Sequence, residues 1–295
     1  MEPFMLDFSN LTETKKGYNG ANGGKKSVIL NGERYMLKFP PAAKLNKEMS
    51  YANSCFSEYL GCHIFNAIGI QAQETLLGKY TINDKVKIVV ACKDFCTNGR
   101  QLLDFASIKN QVVDSLHGGY GTELSSIIEG IENQTSFDSV ELKRYFWDLF
   151  IVDALIGNWD RHNGNWGFLY DEKNDTLELA PVYDCGSSLY PQADEKIMQA
   201  VLSDEAELAF RIKEIPYSAI KQNSKSIRYY EFIHSLKNDA CNQALLRVFP
   251  MIDMQKIFKM INETELLTDL QKTFYKTMLV KRYEMILKSA YEKIN

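Results

Sequence analysis

The sequence predicts an α+β protein of two lobes: a small β-rich N-terminal lobe with one main helix, residues 1–97, then a large, mostly helical C-terminal lobe, residues 98–295. Three observations predict it. Up to about residue 95 the chain consists of short apolar and β-forming runs separated by turn signals, around one helical segment. From about residue 100 apolar residues recur at spacings of three and four, the helical period. A polar stretch then interrupts the helices and carries two short strand-like runs around an acidic turn.

The elements follow in order. "KKSVIL" and "ERYMLKF" are strands joined at "NGE", a hairpin signal. "NKEMSYANSCFSEYLGCHIFNAIGI" is a helix, with Met49, Ala52, Phe56, Tyr59, His63 and Ala67 on the repeat. "AQETLLGKY" and "KVKIVVACKDF" are two further strands joined by "TINDK". "SVELKRYFWDLFIVDALIGN" is the strongest amphipathic helix, with Phe146, Leu149, Phe150, Asp153 and Ala154 near one face, and it stops at Gly157-Asn158. "WGFLY" and "TLELAPVYD" are short strands around the turn "DEKND", whose Asp171, Glu172 and Asp175 are solvated turn residues. After Pro191 helices are expected to the end of the chain. A cleft between two such lobes is a common ligand site.

Bulk properties narrow the function. With 295 residues, 45% of them hydrophobic and 24% charged, the chain has enough apolar content for a sizeable core. A net charge of −4 gives no bulk basicity, so no nucleic-acid partner is expected. No apolar run reaches spanning length, so no stable membrane insertion is expected. Six scattered cysteines form no CxxC pair and no zinc spacing, which predicts reduced thiols. The opening "MEPFMLDFSN" has no basic n-region or apolar h-region. Cytoplasmic location is the expectation; secretion, or delivery to a host, without a cleaved signal leaves no mark in a sequence.

The polar stretch carries the chemistry. In "GNWDRHNGN" Asn165 follows Asp160 by five positions, and Asp184 comes after the hairpin in "PVYDCG". Protein kinases divide the work in this order: a catalytic-loop Asp that takes the hydroxyl proton, an Asn five positions on, and a metal-binding Asp after a hairpin. Magnesium takes hard oxygen ligands, which Asn165 and Asp184 supply. Lys38, near a strand end between apolar neighbours, is the candidate phosphate-holding lysine. Glu58, among small and apolar helix residues, needs a cation if buried, and Lys38 is the natural one. Glu48 is a rival, more simply a first-turn acid. "KKGYNGANGGKKS", with Gly20, Asn22, Gly23 and Gly24, precedes the first hairpin strand, where a phosphate-cradling loop would sit.

Together these residues resemble the HipA-like kinase family, within it the compact CtkA-type bacterial Ser/Thr kinases. The resemblance rests on "GYNGANGGK", "YMLKFPP", "EMSYANSCFSEYLGCHI", "VVACKDF", "FWDLFIVDALIGNWDRHNGNWGF" and "APVYDCGSSLYPQAD". It implies a bilobal protein-kinase-like fold, with ATP and Mg²⁺ between the lobes and transfer of the γ-phosphate to Ser or Thr of a protein substrate. It implies Asp160 as the catalytic Asp, Asn165 and Asp184 as metal ligands, and Lys38 with Glu58 on the nucleotide phosphates. It further implies Lys93 and Phe95 as the hinge that meets adenine, and His162 in the architecture of the catalytic loop. HipA carries an extra N-terminal domain used in toxin–antitoxin assembly; this chain starts almost directly at the kinase lobe, so an operator-DNA role is not expected. "DRHNGN" is equally at home in phosphatidylinositol 4-kinases, so a lipid or small-molecule kinase is the alternative. A catalytically inactive nucleotide-binding interaction module is a second. Ser187, Ser188, Tyr190 and Ser27 are candidate autophosphorylation sites, each also explicable as an ordinary surface hydroxyl.

Overall fold

The computed structural model describes residues 6–18, 24–41, 52–113 and 118–294. Gly20, Asn22 and Gly23 of the glycine-rich loop, and Glu48 and Met49 of the expected helix start, lie outside these residues.

The N-terminal lobe contains β1 (Leu6–Asp7), β2 (Thr12–Thr14), β3 (Lys25–Leu30), β4 (Glu33–Lys38), β5 (Thr75–Ile82) and β6 (Lys85–Lys93). They form one sheet in the order β1-β5-β6-β4-β3-β2. The β3–β4 hairpin turns at Asn31 and Gly32, at φ 51° and 82°, the left-handed pair that a two-residue hairpin needs. Strands β1 and β2, two and three residues long, are too short to carry a readable period. Alternation along β4 sends Tyr35 and Leu37 into a small core with Phe8, Val28, Tyr80 and Val89. Met36 and Lys38 therefore face the other side.

Helix α1 (Ser54–Ile68) lies on that other side, its Cys55 packed with Val90 and Cys92 of β6. Its opposite flank, with Phe56, Leu60, Ile64, Phe65 and Ile68, packs into the core of the C-terminal lobe. Held between two layers, α1 is buried nearly all round. The expected stripe is accordingly offset: Phe56 is buried, but Tyr59, His63 and Ala67 are half-buried and Ala52 is exposed. A helix with no single apolar face lets a period of three and four be traced along the wrong edge.

The C-terminal lobe begins with β7 (Arg100–Asp104), α2 (Phe105–Val112), α3 (Leu124–Asn133), α4 (Ser139–Ile156), β8 (Gly167–Asp171) and β9 (Thr176–Leu179). Next come α5 (Glu195–Ser203), α6 (Glu205–Lys213), β10 (Tyr217–Gln222), β11 (Lys225–Arg228), α7 (Tyr229–Ser235) and α8 (Asp239–Val248). Helices α9 (Met254–Glu263), α10 (Asp269–Arg282) and α11 (Ser289–Ile294) complete it. Helix α4 is the central post: from Phe146 to Ile156 every residue except Asp148 is buried. It ends at Gly157, left-handed at φ 65°, the predicted stop.

Two parts of this lobe differ from the expected run of helices. Strand β7 pairs with β8, extending the predicted β8–β9 hairpin to three strands. Strands β10 and β11 form a hairpin in a region expected to be helical. Its turn, Asn223-Ser224, lacks glycine, and only Ser218, Ile220 and Ile227 are buried along its strands, too few to announce a period of two. Among the described residues no helix is long and apolar enough to cross a membrane. All six cysteines are free and five are buried, as small core residues would be.

Candidate active site

Lys38 is the last residue of β4, and its ammonium reaches two carboxylates from different elements. Nζ lies 3.0 Å from Glu58 Oε2 on α1 and 2.9 Å from Asp184 Oδ1. The Glu58 side chain is 1% exposed and that of Asp184 48%. Burial opposes the charge of Lys38, but Asp184 and Glu58 outweigh it and hold the ammonium well above its usual range. In turn Lys38, against the effect of burial, lowers the Asp184 carboxyl to about 2, with Lys25 and Arg161 adding to the pull. Lys25 stands directly opposite Lys38 in the β3–β4 ladder. Two like charges facing one another across a ladder are unfavourable unless an anion is shared between them.

The segment around Asp184 approaches α1 closely because two glycines permit it. A Cβ at Gly61 would lie 2.6 Å from the Cβ of Cys185, and a Cβ at Gly186 would lie 3.1 Å from Glu58 Oε2. Asp184 itself is left-handed, at φ 57°, a conformation that Asp tolerates better than most residues. The start of α1 is fixed from the same side. Asn53 donates its N–H to Pro191 O (3.1 Å) and its amide to Ala193 O (2.6 Å), and accepts from Gln271 Nε2 (3.1 Å).

The loop after α4 presents Asp160, His162 and Asn165. His162 N–H donates to Asp160 O (2.8 Å) and Asn165 N–H to His162 O (2.9 Å), which coils the loop. The Asn165 amide nitrogen donates to Asp160 O at 2.7 Å, leaving Oδ1 without a hydrogen bond among the described residues. His162 Nδ1 accepts from the Gly164 N–H at 3.0 Å, and Nε2 is 4.0 Å from Asp160 Oδ1. Burial raises the Asp160 carboxyl above its ordinary value; His162 offsets this in part and Asp184 adds to it.

Arg161 holds this loop in place. Its Nε and Nη2 grip Asp153 Oδ2 and Oδ1 at 3.0 and 3.2 Å. Nη1 donates to Asn165 O (2.9 Å) and to Tyr183 O, and Nη2 to the sulfur of Cys185 (3.4 Å). One buried guanidinium thus binds α4, the Asp160 loop and both neighbours of Asp184. The planar fork of arginine suits such divergent acceptors; lysine would not replace it. Asn158 completes the support, donating to Asp153 Oδ1 (3.0 Å) and accepting from the Asp160 N–H (3.1 Å).

Comparison with known proteins places this geometry. The family profile of the HipA-like C-terminal domain matches residues 19–240. The chain belongs to that family. Over 280 residues, 95% of this chain and 85% of the relative, it is 48% identical to the serine/threonine-protein kinase CtkA of Helicobacter pylori. The crystal structure of a Helicobacter pylori proinflammatory kinase CtkA superposes with a TM-score of 0.91 at 45% identity, covering 98% of both chains. HipA of Shewanella oneidensis, solved with HipB and operator DNA, gives a TM-score of 0.51 at 14% identity over 99% of this chain and 70% of that one. That likeness shows the fold alone. The chain is an enzyme of the Ser/Thr protein kinase class, with the sheet-rich N-lobe and helical C-lobe of HipA-like kinases.

Within this HipA-like frame the expected residues fall into three groups. Lys38, Glu58 and Asp184 meet directly, with Asp160, His162 and Asn165 on the adjoining loop. Gly24 accepts the Phe39 N–H at 3.0 Å; the other named loop residues lie outside the described range. Lys93 does not turn into the cleft. Its ammonium pairs with Glu33 (2.9 Å) and Glu74 (3.3 Å), its N–H donates to Glu74 O, and its carbonyl accepts from Gln73 Nε2. Phe95 makes no backbone hydrogen bond among the described residues, and its ring lies 5.9 Å from that of Tyr183. Of the candidate acceptor hydroxyls, Ser188 and Ser27 are buried, so neither is presented at the surface; Ser187 and Tyr190 are half-buried.

Arg161, Asn158 and Lys25 went unread in the sequence, and Asp153 was placed on the face of its helix without a partner. Asp153 offered a signal: an acid on the apolar face of the strongest helix requires a partner. Arg161, next to Asp160, is the nearest basic residue downstream of it.

Proposed function

We propose that the cleft binds ATP with Mg²⁺ and passes the γ-phosphate to a Ser or Thr hydroxyl of a protein substrate. The observation that carries this is the lysine shared between Glu58 and Asp184, at 3.0 and 2.9 Å, which gathers three distant stretches of sequence at one point. In this arrangement Glu58 orients Lys38 toward the nucleotide phosphates, and Lys25 adds a second cation from the facing strand.

The donor set fits a hard cation. Asn165 Oδ1 takes no hydrogen bond among the described residues, and Asp184 is ionised, half-exposed and has one oxygen away from Lys38. Asn165 and Asp184 would hold Mg²⁺, which supplies charge neutralisation at the phosphate oxygens. Asp160 accepts a hydrogen bond from the acceptor hydroxyl, aligns it and takes its proton late. Its raised pKa suits a base that works near the end of transfer. Phosphoryl transfer is loose, so positioning by Arg161 and charge from the lysines matter more than base strength. Both backbone groups of Lys93 being taken, adenine is assigned to the backbone around Phe95, and the lobe boundary to residues 94–99.

Incubation with labelled ATP and Mg²⁺ tests the proposal, with three acceptors in parallel: the protein alone, a generic protein substrate and phosphoinositide vesicles. Label in protein is expected. Label confined to lipid would overturn the protein acceptor, and no label anywhere would leave only a nucleotide-binding scaffold.

A further inference from the structure

A cavity of about 640 Å³ opens beside the cleft. Asp160 lines it, whereas Lys38, Glu58, Asn165 and Asp184 do not. It is therefore not the nucleotide site but a space on the acceptor side of the same catalytic residue. Its walls are largely apolar, with Trp159, Leu189, Pro191, Ile215 and Met278 among them. Two arginines also line it, in opposite states. Arg211 is neutralised: Nε is 2.6 Å from Glu207 Oε1, and the guanidinium lies 4.7 Å over the ring of Tyr190. Arg282 is 2% exposed and has no carboxylate partner among the described residues. Its Nε donates to Ala154 O at 2.7 Å, and its buried Nη1 has no hydrogen-bond partner.

The C-terminal end of α4 compensates part of this charge through its carbonyl groups. Among the described residues Ala154 O is its single hydrogen-bond acceptor; its guanidinium also lies 5.9 Å over the ring of Tyr229, but no carboxylate stands beside it, and such a charge out of water is costly. Burial lowers Arg282 to about 10, as expected where no anion is beside it. A polyphosphate needs several cations, and the cavity offers one that has no carboxylate partner among the described residues. An apolar wall with one such cation fits an aliphatic stem ending in one carboxylate.

We propose that this cavity is the acceptor-side subsite of the kinase, and that Arg282 binds the carboxylate of an acidic residue flanking the Ser or Thr that is phosphorylated. The proposal rests on the kinase reading above. Because Asp160 and Arg282 line one cavity, the acid occupies a fixed position relative to the acceptor hydroxyl.

The test uses the full chain, Mg-ATP and a degenerate peptide set with one Ser, in which each flanking position in turn is Glu or Gln. Glu at one position should be preferred about tenfold or more, the scale of a charge-assisted hydrogen bond. Arg282→Met should lose that preference and Arg282→Lys should keep part of it. Arg282 is buried, so a second measurement on the wild-type chain stands independent of folding. An acceptor-less peptide, Ala for Ser, with Glu at the preferred position should compete with the protein substrate but not with ATP. Its Gln counterpart should be about tenfold weaker. Equal use of Glu and Gln at every position, or a preference that survives in folded Arg282→Met, would overturn the subsite alone. Absence of transfer to any peptide or protein would overturn the kinase reading, and the subsite with it.

Discussion

Two cation–carboxylate clusters lie within a few residues of one another, and they are built for opposite purposes. Lys38 sits between Glu58 and Asp184 at 3.0 and 2.9 Å; Arg161 grips Asp153 at 3.0 and 3.2 Å. Distance does not distinguish them. Exposure does: the Asp184 side chain is 48% exposed, that of Asp153 1%. So does the use of donors. Arg161 spends its fork on Asp153, two backbone carbonyls and a sulfur, whereas Lys38 is a point charge with one replaceable neighbour. A sealed pair resists change because breaking it strands a buried charge. A pair with one half-exposed partner can exchange its contact. On the proposed reading the sealed pair positions the chemistry and the open pair takes part in it.

That contrast breaks if the two clusters respond alike to mutation. The largest effect is expected from Asp184→Asn, and from Asp160→Asn beside it: phosphotransfer should fall by about a thousandfold or more, with thermal stability nearly unchanged. Transfer assays paired with melting curves check both halves. Arg161→Met should do the reverse in kind, costing about 3–5 kcal/mol of stability by denaturant titration, because Asp153 is left charged and buried. If Arg161→Met proved as stable as wild type, the sealed cluster would lose its structural role. Lys38→Met should slow transfer by about a hundredfold and should also destabilise the fold, because it strands the 1%-exposed Glu58 carboxylate.

The smallest effect is in pH. The Asp160 carboxyl is raised by burial and that of Asp184 is lowered to about 2 by Lys38. As pH falls, Asp160 therefore gains its proton first. Transfer should decline on the acid side with a midpoint above the ordinary aspartate value of 3.8, while Asp184 is still ionised. A pH–rate profile, with the fold followed by circular dichroism, reads this directly. A midpoint below 3.8 would mean that Asp160 is not the group being titrated.

The open cluster was far more legible in the sequence than the sealed one. Asp160, Asn165 and Asp184 stood out because their spacing and order follow the protein-kinase pattern. Lys38 and Glu58 followed from local logic: a lysine at a strand end, and an acid among small helix residues that needs a cation. Arg161 was hidden because its partners come from α4, its own loop and the Tyr183–Cys185 segment, and no period relates them. The same limit explains the β10–β11 hairpin, whose few inward residues make no pattern. It also explains the stripe on α1, where packing on two sides erases the polar face that would have oriented the helix.

The anchoring of α1 has one more consequence, and it concerns control. Protein kinases are commonly switched by moving the helix that carries the lysine-pairing glutamate. Here Asn53 fastens the start of that helix to residues 191, 193 and 271, and Gly61 lets Cys185 lie almost against its backbone. Swinging α1 outward would break three hydrogen bonds and open a void along its length. Displacing α1 is therefore expensive in this chain, and the Lys38–Glu58 pair is held together by the packing of the C-terminal lobe as much as by its own charge.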